Sequence, residues 1–252
     1  MDSRLQRYLE SKAGVALSPQ IDGIVVRESP LRSAKRGNRV VVQRVAGLGG
    51  VLITVPPGTA GAITQVVRQM MPCELFSPLG RAELCRALGR DDEPPPEYYL
   101  YGFDYVLTDI EGFRPVQTPH ETTPLRKKDI PAEQFALRMS ERRQPVAEDF
   151  IWAFACYRDD PAFQATELAA FGPKCASIAI AIWREGPVAT FGVGTEPACR
   201  GRGYGLAAVS AMTQWLLAQG EVAVYGAYAN NIPSLRIVRR LGYRFLQQEM
   251  AI

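Results

Sequence analysis

Histidine is almost absent from this chain: there is one, His120, in 252 residues. A Ser-His or Cys-His nucleophilic device would have to use that residue. It lies in Thr118-Pro119-His120-Glu121, a turn-like stretch that reads as surface rather than as catalytic. The five cysteines (Cys73, Cys85, Cys156, Cys175, Cys199) are odd in number, widely spread and without a C-x-x-C pair, which argues against a disulfide framework and against a zinc site. No metal is expected. No apolar run reaches the ~18 residues that span a bilayer, and the start, MDSRLQRYLESK, is polar rather than signal-like, so a cytoplasmic protein without a membrane partner is expected. Strong charge of one sign is missing too. A net charge of +3 helps to attract an anionic ligand but falls short of a nucleic-acid footprint, and Arg126-Lys127-Lys128 and Arg142-Arg143 read as solvated faces.

What is present is an ordinary globular composition, 47% hydrophobic and 22% charged, in a chain long enough for one large or two small domains. The N-terminal third reads as an α+β unit: a helix over 2–12, strands over 39–45 and 51–55 joined at Gly47 to Gly50, and a helix over 58–71. Ser77 with Pro78 marks the cap and first turn of another helix, ending near Gly89. Asp91-Asp92-Glu93-Pro94-Pro95-Pro96 breaks regular structure, and the aromatic run 98–108 reads as a strand. Prolines at Pro115, Pro119 and Pro124 put the domain boundary near 115, giving domains 1–115 and 116–252. In the second domain, strands are expected at 122–125, 150–157, 176–183 and 187–195, the last two turned at Arg184-Glu185-Gly186, with a helix from Asp129 toward Arg143.

The chain is organised around Glu196-Pro197-Ala198-Cys199-Arg200-Gly201-Arg202-Gly203-Tyr204-Gly205-Leu206. A charge-free strand-like run, 187–195, enters it, and a helix-like run, 206–219, leaves it, with Ala207, Val209, Met212, Trp215 and Leu216 at helical spacing and Gly220 as the stop. Gly201, Gly203 and Gly205 allow a tight turn that exposes backbone N–H groups at the helix start, where the dipole also favours an anion. Arg200 and Arg202 add positive charge. A dinucleotide fingerprint needs a third glycine where Leu206 stands, and a P-loop needs Gly-Lys-Ser/Thr, absent here and from Pro56-Pro57-Gly58-Thr59-Ala60-Gly61.

Arg200-x-x-Gly203-x-Gly205 after Thr195-Glu196-Pro197 resembles the acetyl-CoA pyrophosphate loop, Q/R-x-x-G-x-G/A, of the GNAT superfamily of N-acyltransferases. The run from Asn231 through Ser234 and Leu241 to Tyr243 is similar to that family's N-x-x-A/S-x-x-L-Y-x-K-L-G-F segment. The resemblance covers about 116–252 and is clear from about 176. It implies an α/β (α+β) fold with a mixed, mainly antiparallel twisted sheet flanked by helices, and permits the N-terminal α+β domain to be a degenerate half of the same fold.

The resemblance also implies roles. The backbone of Val193, Gly194 and Thr195 would pair with the pantetheine arm of acetyl-CoA. Arg200, Gly201 and the N–H groups of Arg202, Gly203, Tyr204, Gly205 and Leu206 would hold the pyrophosphate, and Asn231 would hydrogen-bond near the pantetheine. Arg236, Arg239 and Arg240 lie on the following helix, within reach of the adenosine phosphates or simply solvated. A backbone N–H near Val193 would meet the oxyanion. Where the family commonly supplies a tyrosine for the leaving thiolate, this chain has Val238, leaving Tyr228 or Tyr243 as substitutes. The strand 188–195 carries no carboxylate, so Glu185 and Glu196 at its ends are the candidate bases, Glu196 reading equally as a loop residue. A lysine-like acceptor would need ~4.6 kcal/mol for deprotonation at pH 7 and an α-amine only ~1 kcal/mol, which leans toward a low-pKa amine. The implied activity is N-acetyl transfer to a small-molecule or peptide amine. The alternative is an acyl-CoA-binding regulatory protein without turnover. A homodimer is compatible with the sequence, although no stretch demands it.

Overall fold

The computed structural model describes residues 1–18, 21–32, 40–90, 102–133 and 150–252. The chain forms two compact units: 1–104 with 228–230 and 245–252, and 105–227 with 231–244. The first division falls after Asp104, inside a strand, whereas proline content pointed to 115.

Unit 1 opens on α1 (Ser3–Ala13), capped by the Asp2 carboxylate, which accepts the Arg4 N–H at 2.7 Å, and closed by Gly14 in the left-handed region. Leu5, Tyr8, Leu9 and Ala13 form its buried stripe. Strand β2 (Val41–Val45) pairs antiparallel with β3 (Val51–Val55), as the glycine-rich turn between them suggested. Two further strands flank this pair. β1 (Ile24–Glu28) runs parallel to β3, Ile24 opposite Val51, and the C-terminal strand β10 (Arg244–Ala251) lies antiparallel to β2, Gln247 opposite Val45. Every residue of β3 is buried, as a central strand covered on both faces should be. Helices α2 (Ala60–Val67) and α3 (Pro78–Ala87) supply Ile63, Val67, Leu84 and Cys85 to a core with Val40, Val51, Ile53, Leu75 and Met250. The Ser77 hydroxyl accepts the Gly80 N–H at 3.1 Å, the cap expected from Ser-Pro. Lys12 reaches Asp104 at 3.3 Å and Glu249 at 3.2 Å, so α1, β4 (Gly102–Leu107), which lies within the aromatic run read as a strand, and β10 share one ion-pair cluster.

In unit 2, β5 (Thr123–Arg126), β6 (Ile151–Tyr157), β7 (Cys175–Glu185) and β8 (Val188–Thr195) form an antiparallel meander. β7 continues through Glu185, so the β7–β8 turn sits at Gly186 and Pro187, later than the sequence suggested; Gly186 has φ +53°, which glycine adopts without strain. α4 (Tyr204–Ala218) then crosses back, and β9 (Val222–Tyr228) joins β8 in parallel, as a crossover connection requires. α5 (Ile232–Arg240) follows. α4 packs on β6, β7 and β8 through Ala207, Ala208, Val209, Met212 and Leu216, with Ile178, Ile180, Phe191 and Tyr225 in the same core. Each fully buried large aliphatic contributes roughly 1.5–3 kcal/mol. The sheet is mixed and mainly antiparallel, with helices against it, the architecture expected from the sequence.

Between Tyr157 and Cys175 the chain forms an irregular loop with one short 3-10 turn (Ala169–Phe171). The breaker at 91–96, residues 98–101, Arg39, the basic pair Arg142-Arg143 and the body of the helix anticipated from Asp129 lie outside the described residues. The five cysteines are free thiols, Cys73 exposed and the others buried. Among the described residues no helix is long and apolar enough to cross a membrane.

Candidate functional site: a strand splay facing a helix N-terminus

Strands β8 and β9 are in register from Val188↔Val222 to Phe191↔Tyr225. β8 then continues to Thr195 with β7 as its partner, Ser177 opposite Thr195. Residues Gly192 to Thr195 are therefore a strand segment whose β9 side is no longer in that ladder, and all four are half-buried. The departure coincides with an irregularity on the other neighbour: the β7–β8 register shifts between Ala181 and Trp183, leaving Ile182 as an extra residue. A bulge raises local twist, which turns the end of β8 away from β9. Extended backbone with open polar groups is what a peptide-like ligand arm needs as a partner.

At the end of β8 the chain makes a short 3-10 turn (Pro197–Cys199) and enters α4. Gly201 and Gly203 have φ of +75° and +91°, a region that side-chain-bearing residues enter at a cost of about 1–2 kcal/mol. Gly203 stands at the N-cap and offers no side chain, and Ala207 N–H is the first to bond back, to the Gly203 carbonyl at 3.0 Å. The N–H groups of Tyr204, Gly205 and Leu206 thus precede the intrahelical ladder at the positive end of the dipole. Gly205 answers a different demand. A Cβ there would stand 2.9 Å from Thr195 Oγ1, so only glycine lets the helix start this close to the end of β8. Thr195 Oγ1 is itself held by Ser177 Oγ at 2.8 Å, and Ser177 Oγ also lies 2.8 Å from the Gly194 carbonyl.

The arginines of the loop differ in role. Arg200 Nε donates to the Thr195 carbonyl at 3.2 Å and Nη2 meets Glu167 at 3.3 Å, so this side chain closes the loop across its own turn. Arg202 is exposed.

Glu196 is 2% exposed. Its carboxylate accepts the Thr166 N–H and the Thr166 hydroxyl, each at 3.0 Å, and the Leu168 N–H. Both oxygens are turned into the 157–175 loop. The structure gives Glu196 a holding role there, in place of the base role considered from sequence; Leu168, so held, packs toward the backbone of Gly194, 3.3 Å from where a Cβ would lie.

Asn231 is exposed at the start of α5, and its Oδ1 accepts the Ser234 N–H at 3.2 Å, leaving the Nδ2 amide as the end that can meet a ligand. Val238, on the same helix, is fully buried. Tyr243 cannot replace the missing tyrosine at this site: its ring is buried and its hydroxyl is 2.7 Å from Thr213 Oγ1, and burial pushes its pKa far above the ordinary value. Tyr225 is likewise in the core, its hydroxyl donating to Ser234 Oγ at 3.2 Å and its pKa pushed up by burial to about 12. Tyr228 ends β9 and is 47% exposed. Glu185 ends β7, at the hairpin turn and away from the splayed end of β8.

The residue that sequence reading placed elsewhere is His120. Its ring stacks on Tyr204 with centroids 3.8 Å apart and planes at 20°, and Nε2 donates to the Arg202 carbonyl at 2.7 Å. The single histidine of the chain thus lies against the glycine loop, 82 residues away in sequence. No local signal announces this.

Residues 176–252 match the family model described as FR47-like protein, which is GNAT-related. Among solved structures, the chain is similar to a GNAT-family protein of Novosphingobium aromaticivorans (21% identity, 63% of this chain and 68% of that one covered, TM-score 0.41). It is also similar to an acetyltransferase from the GNAT family of Colwellia psychrerythraea (11% identity, 79% and 76% covered, TM-score 0.41). No curated protein matches the chain.

Proposed function

We propose, from the premise that residues 176–252 are an FR47-like, GNAT-related segment, that the protein transfers the acetyl group of acetyl-CoA to a primary amine of a small molecule or peptide. The observation that carries this reading is the pairing of two features at one place. β8 leaves β9 after Phe191, and the next helix begins with free N–H groups behind two glycines at positive φ. The first suits an amide-bearing arm and the second a diphosphate, the two recognisable parts of coenzyme A. Acetyl-CoA supplies a thioester whose carbonyl is open to attack by an amine.

The chain's own contributions follow. The backbone from Val193 to Thr195 pairs with the pantetheine arm and aligns the thioester. The N–H of Val193 is the proposed donor to the developing oxyanion, preset by β8's attachment to β7. The N–H groups from Arg202 to Leu206 bind the diphosphate, and the Asn231 amide meets the pantetheine. Positioning and an oxyanion donor supply most of what aminolysis of a thioester needs, and a thiol of pKa ~8.5 leaves without strong acid help. Tyr228 is the remaining candidate acid, since Tyr243 and Tyr225 are committed to the core. With Glu196 turned into its loop, a low-pKa amine is the acceptor that asks least of a base. The protein is proposed to act in the cytoplasm without metal, nucleic-acid or membrane partners; a homodimer is compatible with this activity.

Two observations favour the alternative, a regulatory protein that binds acyl-CoA without turnover. Val238, buried in the core, stands at the position of the family's tyrosine, and β8 carries no carboxylate. Calorimetric titration with acetyl-CoA followed by thiol release over a panel of amines separates the two. Binding that is lost in Gly203→Asp, with thiol release for at least one amine, supports the transferase; binding with no release across α-amines and lysine-like amines supports the regulator. Absence of binding by the native chain removes both.

A further inference from the structure

We infer that His120 is a positioning residue of the diphosphate cradle, holding the Arg202–Gly203 peptide so that its N–H faces the bound anion; this rests on the acyl-CoA reading above. A carbonyl oxygen only accepts, so the 2.7 Å contact places a proton on His120 Nε2 and fixes the direction of the Arg202 C=O. No peptide bond among the described residues is cis. In a trans peptide the C=O and the following N–H point in opposite directions, so holding the Arg202 carbonyl toward His120 turns the Gly203 N–H to the opposite side.

The constraint matters because the loop has little stiffness of its own. Gly201 and Gly203 must be glycine for their positive φ, and glycine is the residue with most backbone freedom to lose. Gly203 adds no side-chain cap. An outside contact has to select one orientation of the 202–203 peptide, and His120 supplies it twice over: by the hydrogen bond on one side of Gly203 and by the stack on Tyr204 on the other. The ring lies so close that a Cβ on Gly203 would come within 3.6 Å of its Cδ2 and Nε2.

His120 is in turn anchored. Phe113 is buried in the unit 2 core, Arg114 N–H donates to the Leu241 carbonyl at 3.0 Å, and Thr118 Oγ1 donates to the His120 carbonyl at 3.3 Å. The segment 113–120 thus ties the loop to the end of α5. Preorganising a cradle lowers the entropy lost on binding, and the gain is confined to ligands that use the cradle.

The test uses His120→Phe, which keeps an aromatic ring for the stack but has no donor, and His120→Ala, which removes both. Affinity for coenzyme A and for pantetheine, which lacks the diphosphate, is measured by calorimetry, with melting temperature as the fold control. The expected result is coenzyme A binding weaker by about tenfold in His120→Phe, the scale of one hydrogen bond, and weaker again in His120→Ala. Pantetheine binding and melting temperature of His120→Phe stay at the native values. Unchanged coenzyme A affinity in both variants, or equal losses for both ligands, overturns the inference. A second readout needs no ligand: the NMR order parameter of the Gly203 amide in the free protein should fall in both variants, and an unchanged value overturns the positioning role. Failure of the native chain to bind coenzyme A would instead strike the acyl-CoA reading, while the Gly203 measurement still decides whether His120 orders the loop.

Discussion

Phe191 and Tyr225 form the last aligned pair between β8 and β9, and their rings meet edge to face with centroids 5.5 Å apart and planes at 84°. Two full-sized aromatics at the vertex of the splay, both essentially without exposure, make it a packed wedge. Phe191→Ala should therefore cost about 3–5 kcal/mol, the range for emptying a buried aromatic site. Tyr225→Phe should cost only about 1 kcal/mol, because it keeps the ring contacts and loses the hydrogen bond to Ser234 Oγ. Urea unfolding of the two variants checks the difference; equal costs would mean that the hydroxyl rather than the ring pair holds the vertex.

Glu196→Gln separates a holding role from a chemical one. The amide oxygen can keep the Thr166 and Leu168 N–H groups that Oε1 serves, with the new NH2 turned to the Thr166 hydroxyl that Oε2 served, but the negative charge that strengthens all three bonds is gone. The expected loss is about 1–3 kcal/mol, the scale of exchanging hydrogen bonds to a charged acceptor for bonds to a neutral one. Amide hydrogen exchange at Thr166 and Leu168 should accelerate, while the pH dependence of thiol release stays that of the native chain. A displaced acid limb in that profile with native exchange rates would return Glu196 to the role of base.

Gly205→Ala tests the close approach of α4 to β8. The added methyl meets Thr195 Oγ1 at 2.9 Å, a contact that requires one side to shift. Overpacking of this kind destabilises by about 1–3 kcal/mol. In a Thr195→Ala background the obstructing oxygen is gone, so the same change should cost markedly less, giving a favourable coupling in a double-mutant cycle. Additive losses would show that the strain lies elsewhere, for instance against Ile237, 3.7 Å from the same position.

Features set by neighbouring residues could be read from the sequence. The Ser77-Pro78 cap, the β2–β3 turn and the glycine loop between β8 and α4 each depend on the chemistry of a few consecutive residues. Elements set by distant partners could not. β1, Ile24-Val25-Val26-Arg27-Glu28, is too short to declare itself and exists because β3 offers a parallel edge. The C-terminal strand owes its place to pairing with β2, some 200 residues earlier in sequence, which joins 245–252 to unit 1. At the candidate site the same division holds: Gly201, Gly203 and Gly205 were legible as a cradle, while the Glu196 bonds to 166–168 and the His120 contact with the loop depend on segments that only the fold brings together. Tyr243 failed as a candidate acid for that reason, its hydroxyl being spent on Thr213.

Alkaline pH should unfold this protein earlier than its surface charges alone would suggest. Burial pushes the Cys156 and Cys175 thiols up from 9.0 to about 12, and Tyr225 from 10.0 to about 12. Tyr243 is raised further by the same cause. Each is an acid whose folded pKa lies above its unfolded value, so the unfolded chain loses the proton first. Their contribution is fully present below the unfolded values, near pH 9 for the thiols and 10 for the tyrosines, and is lost as pH climbs toward the folded values near 12. Urea midpoints should accordingly hold level up to about pH 8.5 and fall steadily above it. Cys156→Ala removes one of the earlier-titrating groups, so although it lowers the plateau it should flatten the decline between about pH 9 and 10; Tyr225→Phe should flatten the part above about pH 10. A decline with the same slope in both variants would mean that other groups carry the alkaline transition.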